Sequence, residues 1–129
     1  SNASLGAVHA MAHSLGGLLD LPHGECNALL LDHVIGYNFP EASLRYGRIG
    51  EAMGLDIKGL RPAEIKQAVL AKTRRLRKQL GIHRTLGERG ATLADIPLLA
   101  RKALKDPCMV TNPRVPNQRD IEVIYEEAL

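Results

Sequence analysis

The apolar residues of this 129-residue chain recur at helical spacing along most of its length. No stretch shows the sustained alternation of β-branched and polar residues that is typical of a half-buried strand. Aromatic residues make up 3% of the chain and tryptophan is absent, so the core must be built from Leu, Ile, Val, Ala and Met, a composition that favours helices. The sequence therefore predicts an all-α, bundle-like fold of roughly six helices around one core.

Turn and cap residues indicate where these helices begin and end. The Asp20-Leu21-Pro22 segment predicts a turn, because proline fixes its own φ and biases the residue before it to an extended conformation. Gly54 and Gly81 are typical helix stops, and Asn117 predicts an N-cap. The expected helices cover about residues 7–18, 24–35, 41–53, 62–80, 95–104 and 118–128.

Charge and cysteine content narrow the range of partners. The net charge of +3 is too mildly basic to imply a nucleic-acid partner, and the basic run at 72–78 is expected to be a solvated face because no aromatic residues are interleaved with it. No segment approaches the roughly 20 apolar residues needed to span a bilayer, so no membrane partner is expected. Cys26 and Cys108, in a chain without a secretory signal, favour free thiols in a reduced, cytoplasmic setting.

Three histidines near the start of the chain are the main candidates for chemistry. His9, His13 and His23 follow the pattern H-x3-H-x9-H, and the i, i+4 spacing puts His9 and His13 on one helix face. Imidazole is the commonest neutral metal ligand and can relay protons near neutral pH, so the three could converge on one zinc, iron or manganese ion. The same spacing also allows the three side chains to pack in the core or to cap backbone groups.

A longer pattern surrounds these histidines. Residues 6–38 read GAVHAMAHSLGGLLDLPHGECNALLLDHVIGYN. This segment resembles the signature region of the iron-containing (metal-dependent, group III) alcohol dehydrogenases, which carry H-A-M-A-H, L-G-G, P-H-G and N-A-x-L-L-x-H-V in that order. The resemblance continues more diffusely through residues 80–82, 95–97, 106–108 and 112–114. It implies the all-helical C-terminal domain that follows an NAD- or NADP-binding α/β domain in this family.

The resemblance implies a role for each matching residue. His9 and His23 match the metal-binding histidines of the signature. His13 matches a histidine that lies beside the metal and the nicotinamide, which implies a catalytic role, either on the substrate side or in proton relay. Cys108 matches a position that lines the substrate pocket, and His33 matches a recurrent helical histidine that we expect to be structural.

The resemblance also implies what the rest of such an enzyme supplies. In the family an Asp and a His from a preceding helix complete the metal site, so His9 and His23 are expected to provide two ligands to a divalent metal, Fe²⁺ before Zn²⁺ or Mn²⁺. NAD or NADP is expected to be bound mainly by the N-terminal domain, because this chain has no Gly-rich phosphate loop. The implied reaction is the interconversion of small alcohols and aldehydes by hydride transfer, with the isolated domain inactive.

The ends of the chain suggest that it is part of a longer protein. Residues 1–3 read as the scar of a cleaved expression tag, so we expect residues 4–129 to be a single helical domain that lacks its N-terminal neighbour. Apolar surface exposed by that separation would favour homo-oligomers. The alternative function is a non-catalytic helical module that keeps the family scaffold for interaction or oligomerisation.

Overall fold

The computed structural model describes residues 6–82 and 84–129; residues 1–3, with their expected tag scar, lie outside the described residues. Within these ranges every regular element is helical, which confirms the all-α prediction. The described residues form five α-helices and two short 3₁₀ helices, Leu93–Asp95 and Pro107–Thr111. The α-helices are α1 (Gly6–Leu19), α2 (His23–Ala52), α3 (Pro62–Gln79), α4 (Ile96–Lys105) and α5 (Gln118–Ala128).

Helix α2 combines two of the expected helices into one kinked element. Pro40 lies inside it and removes one helical hydrogen bond, and Ala42 has the non-helical angles φ −143° and ψ 28°. Asn38 and Phe39, in the expected break, are buried and helical. Two helical segments therefore meet at a kink just after Pro40, close to the boundary that the sequence predicts between two helices, and they are counted together as one of the five α-helices of the described ranges.

The other predicted boundaries agree closely with the structure. The turn before α2 begins at Asp20, whose φ of 54° is the left-handed conformation that reverses the chain after α1. Asn117 caps α5 as predicted, because its side chain accepts a hydrogen bond from the backbone N–H of Asp120 at 2.8 Å, while the Asp120 carboxylate accepts one from the N–H of Asn117 at 3.0 Å.

The main core surrounds α1. Ala7, Val8, Ala10, Met11 and Leu15 are each at most 1% exposed, packed among residues of α2, α4 and α5. The Tyr125 hydroxyl of α5 also donates to the Met11 carbonyl at 2.7 Å. Because the core takes most of the surface of α1, His9 and His13 lie on the one face that stays partly open.

Helices α2 and α3 are joined by a buried charge. Asp32 on α2 is 1% exposed and accepts hydrogen bonds from Arg74 at 3.0 Å and Arg77 at 2.8 Å. A carboxylate in such a position needs opposite charge and hydrogen bonds to remain ionised. The expectation of a solvated face at residues 72–78 is therefore incomplete: Arg74 stays exposed and Arg77 is partly buried, and both pair with Asp32 and hold the two helices together.

None of the helices in the described ranges is both long and apolar enough to cross a membrane.

Candidate metal and substrate site

The structure brings the three predicted histidines together. His9 and His13 are one turn apart on α1, and the turn that follows returns the chain so that His23, the first residue of α2, faces both. The ring centroids of His9 and His23 are 6.0 Å apart with an interplanar angle of 15°, and those of His13 and His23 are 5.1 Å apart at 22°. His9 is half-buried, whereas His13 and His23 are exposed, so the cluster opens to solvent.

Asp106 is a fourth member of this site that sequence reasoning missed. Its Oδ2 lies 2.8 Å from Nδ1 of His13, although 93 residues separate the two. It caps the 3₁₀ helix Pro107–Thr111, since its Oδ1 accepts a hydrogen bond from the backbone N–H of Cys108 at 2.8 Å. An aspartate before Pro-Cys signals a cap in the sequence, but no local signal connects it with a histidine so far away.

Cys108, which the family resemblance assigns to the substrate pocket, lies beside His13 and Asp106. The ligand atoms of His13, Asp106 and Cys108 are within 4.8 Å of one another. Desolvation and the neighbouring Asp106 carboxylate raise the pKa of the Cys108 thiol, so the site presents a neutral SH group at physiological pH. Desolvation raises the pKa of Asp106, but hydrogen bonds from the Cys108 amide and from His13 outweigh it and hold that pKa below its usual value.

Close backbone packing fixes α1, which carries His9 and His13, against the 3₁₀ helix Pro107–Thr111. A Cβ atom on Gly6, the first residue of α1, would lie 2.4 Å from the carbonyl oxygen of Cys108, so only glycine allows α1 to approach the 3₁₀ helix this closely. Behind this contact, Oδ1 of Asn112 accepts a hydrogen bond from the N–H of Ala7 at 3.1 Å. Asn112 and Asn38, both buried, exchange two further hydrogen bonds at 2.8 and 2.7 Å.

The donor atoms in this cluster fit a divalent transition metal. His9 and His23 offer imidazole nitrogen, which suits iron, zinc and manganese. The group of three residues whose donor atoms lie within 4.8 Å of one another, His13, Asp106 and Cys108, does not include them. His33, in contrast, lies beside Asp32, with Nε2 at 3.8 Å from Oδ1. Desolvation lowers the pKa of His33, as expected for a histidine packed into the structure.

Comparison with known proteins places the chain in a family. Residues 1–129 match the model of the Fe-containing alcohol dehydrogenase family, C-terminal. The 1,3-propanediol dehydrogenase of Klebsiella pneumoniae is 43% identical over 128 residues, 99% of this chain and 33% of that protein. The NAD-dependent methanol dehydrogenase of Bacillus methanolicus is 36% identical over 129 residues, 100% of this chain and 34% of that protein.

A solved structure agrees with this assignment. The crystal structure of a 1,3-propanediol oxidoreductase superimposes with a TM-score of 0.92 at 41% identity, covering 95% of this chain and 32% of the other. The chain thus spans about a third of the length of the relatives that it matches. It belongs to the iron-containing alcohol dehydrogenase family and corresponds to the helical C-terminal domain of that family.

Proposed function

We propose that residues 4–129 act as the metal-contributing domain of an NAD(P)-dependent alcohol dehydrogenase that interconverts small alcohols and aldehydes. The observation that carries this proposal is that His23 lies beside His9 and His13, while His13 lies beside Asp106 and Cys108. The relatives add support, because their names specify dehydrogenation of short-chain alcohols and, in one case, dependence on NAD.

The site residues take distinct roles in this proposal. His9 and His23 hold a divalent metal, Fe²⁺ before Zn²⁺ or Mn²⁺, together with ligands from the preceding part of the enzyme. When bound, such a metal acts as a Lewis acid toward the substrate oxygen. His13 accepts or returns the hydroxyl proton beside that oxygen, and Cys108 lines the substrate pocket as a neutral thiol.

The proposed partners are a nucleotide-binding domain and further copies of the same chain. An N-terminal domain binds NAD or NADP, and the helical domain meets it along the face that carries the histidines. The two free cysteines are consistent with a cytoplasmic protein. Apolar surface between α2 and α3 favours association into homo-oligomers.

Metal titration tests the ligand assignment directly. We expect the wild-type protein to bind Zn²⁺, used as a redox-stable probe, more tightly than the His9→Ala and His23→Ala variants, by about tenfold or more, because each variant removes one of few ligands. His33→Ala is the matched control, since it removes a histidine of α2 that lies beside Asp32. Equal affinity for all four proteins, measured by calorimetry, would refute the assignment and favour a non-catalytic interaction module.

A further inference from the structure

Both oxygens of the Asp106 carboxylate are already engaged. Oδ1 accepts from the backbone N–H of Cys108 and Oδ2 lies against Nδ1 of His13, each at 2.8 Å. The Cys108 amide can only donate, so it fixes which oxygen of Asp106 faces the histidine. An ionised carboxylate can only accept, so the hydrogen in the second contact belongs to Nδ1 of His13.

This hydrogen bond determines the chemistry of the other ring nitrogen. A neutral imidazole carries one N–H, and the hydrogen bond at one nitrogen decides which of the two it is. With the hydrogen on Nδ1, the Nε2 atom of His13 has a free lone pair. Among the residues that the structure describes, Nε2 has no hydrogen-bond partner, and the side chain is 47% exposed beside the ring of His23.

We infer that Asp106 is a positioning residue that holds His13 in the Nδ1–H tautomer and presents Nε2 as a proton acceptor to the open face of the site. The catalytic purpose of this arrangement rests on the function proposed above. When an alcohol gives up its hydroxyl proton, the O–H bond breaks, the electron pair stays on oxygen and the proton forms a new bond to Nε2. The resulting imidazolium keeps its hydrogen bond to the ionised Asp106, which stabilises the charge without taking the proton.

Replacing Asp106 with asparagine should reverse the tautomer. The Cys108 amide still requires an acceptor, so the carbonyl oxygen of the new side chain must face it and the amino group must face His13. Nδ1 then has to accept a hydrogen bond, which moves the ring hydrogen to Nε2 and removes the free lone pair. The variant keeps the size of the side chain and its cap on the 3₁₀ helix, so the fold should be retained.

Nuclear magnetic resonance of ¹⁵N-histidine-labelled protein measures the tautomer directly, at a pH where the ring is neutral. Signals of His13 are assigned by their loss in His13→Gln. We expect Nδ1–H in the wild type and Nε2–H in Asp106→Asn. Asp95→Asn should match the wild type, since Asp95 caps the 3₁₀ helix Leu93–Asp95 through Thr92 and has no hydrogen bond or ion pair with any histidine in the described part of the chain.

Two results would overturn the inference: Nε2–H in the wild-type protein, or an unchanged tautomer in folded Asp106→Asn. The first needs no variant and decides the question even if Asp106→Asn does not fold. In the full-length enzyme, Asp106→Asn should lower kcat about 100-fold with little change in KM, within the range for loss of a general base. A reversed tautomer with unchanged kcat would leave Asp106 as the residue that orients His13 but would refute the proposed proton relay.

Discussion

His33 shows how neighbouring charges and burial compete at one residue. Desolvation lowers its pKa, the Asp32 carboxylate raises it, and the Arg77 guanidinium lowers it again, with smaller opposing effects from Glu127 and Arg74. Desolvation prevails, so the pKa lies below the ordinary value of 6.5. The folded protein therefore keeps His33 neutral in mildly acidic solution, where an exposed histidine would be charged.

This shift makes the free energy of unfolding depend on pH. Below the ordinary pKa of 6.5 the unfolded chain binds a proton at His33 that the folded chain does not, so the free energy of unfolding falls as the pH drops through this range. We expect His33→Gln to lose this part of the slope, by at most about 1.4 kcal/mol per pH unit, in urea denaturation between pH 8 and pH 5.

The same experiment contains its own control. At pH 8 the ring of His33 is neutral in both states, so the difference between variant and wild type there reports only lost packing. Parallel stability curves for the two proteins across the whole pH range would show that His33 does not contribute to the pH dependence.

At the scale of helices and turns, α1 is the element on which the site depends. Its N-terminus contacts the 3₁₀ helix Pro107–Thr111 backbone to backbone at Gly6, and its C-terminus leads into the turn that returns His23. The position of α1 against the 3₁₀ helix therefore sets the position of His13 relative to Asp106. A substitution that disturbs the packing at Gly6 should therefore lower the free energy of unfolding and also change the contact between His13 and Asp106.

Two glycines of α1 allow a matched test of this packing. A Cβ at Gly6 would meet the Cys108 carbonyl at 2.4 Å and the Thr111 hydroxyl at 2.6 Å, whereas a Cβ at Gly17 meets nothing within 4 Å. We expect Gly6→Ala to lower the free energy of unfolding by about 1–3 kcal/mol, the usual cost of overpacking. Gly17→Ala should raise it by up to about 1 kcal/mol, because alanine is the better helix former.

Chemical denaturation of the two variants provides the measurement. Equal effects of the two substitutions would contradict the close contact at Gly6, because helix propensity alone would then explain both. A Gly6→Ala variant as stable as the wild type would also contradict the close contact at Gly6.

The origin of each site residue explains how far sequence reasoning reaches. The histidines lie on two consecutive helices joined by a turn with clear signals. Helical spacing places His9 and His13 on one face and the turn allows His23 to reach them, but spacing alone does not decide that the three meet. Asp106 and Asn112 reach the site only through the packing of the C-terminal half on α1, and no local pattern encodes that packing. Pro40 has the local effect that the sequence predicts, because the non-helical angles of Ala42 lie just after it, although no loop separates the helical segments on its two sides.

At the scale of the whole molecule, one apolar surface is left open. A groove of about 340 Å³ between α2 and α3 is lined mainly by aliphatic side chains, among them Leu31, Ile35, Met53, Leu76 and Leu80. Leu80 is 76% exposed. Single exposed leucines are ordinary, but a contiguous apolar groove is stabilised when another surface covers it.

We therefore expect the protein to self-associate as its concentration rises. Light scattering over a dilution series should give a mass above the 14.1 kDa of one chain at high concentration and a return toward that value on dilution. A constant mass of one chain over the whole series would count against the proposed homo-oligomer.

The paired amides of Asn38 and Asn112 have a consequence for how this sequence can evolve. Each side chain both donates to and accepts from the other in a buried position, and the pair spans 74 residues of sequence. Changing one partner alone leaves a buried amide of the other unsatisfied, and losing Asn112 also takes away the acceptor of the Ala7 N–H. Selection therefore acts on the two positions jointly, so that substitutions tolerated at one depend on the residue present at the other.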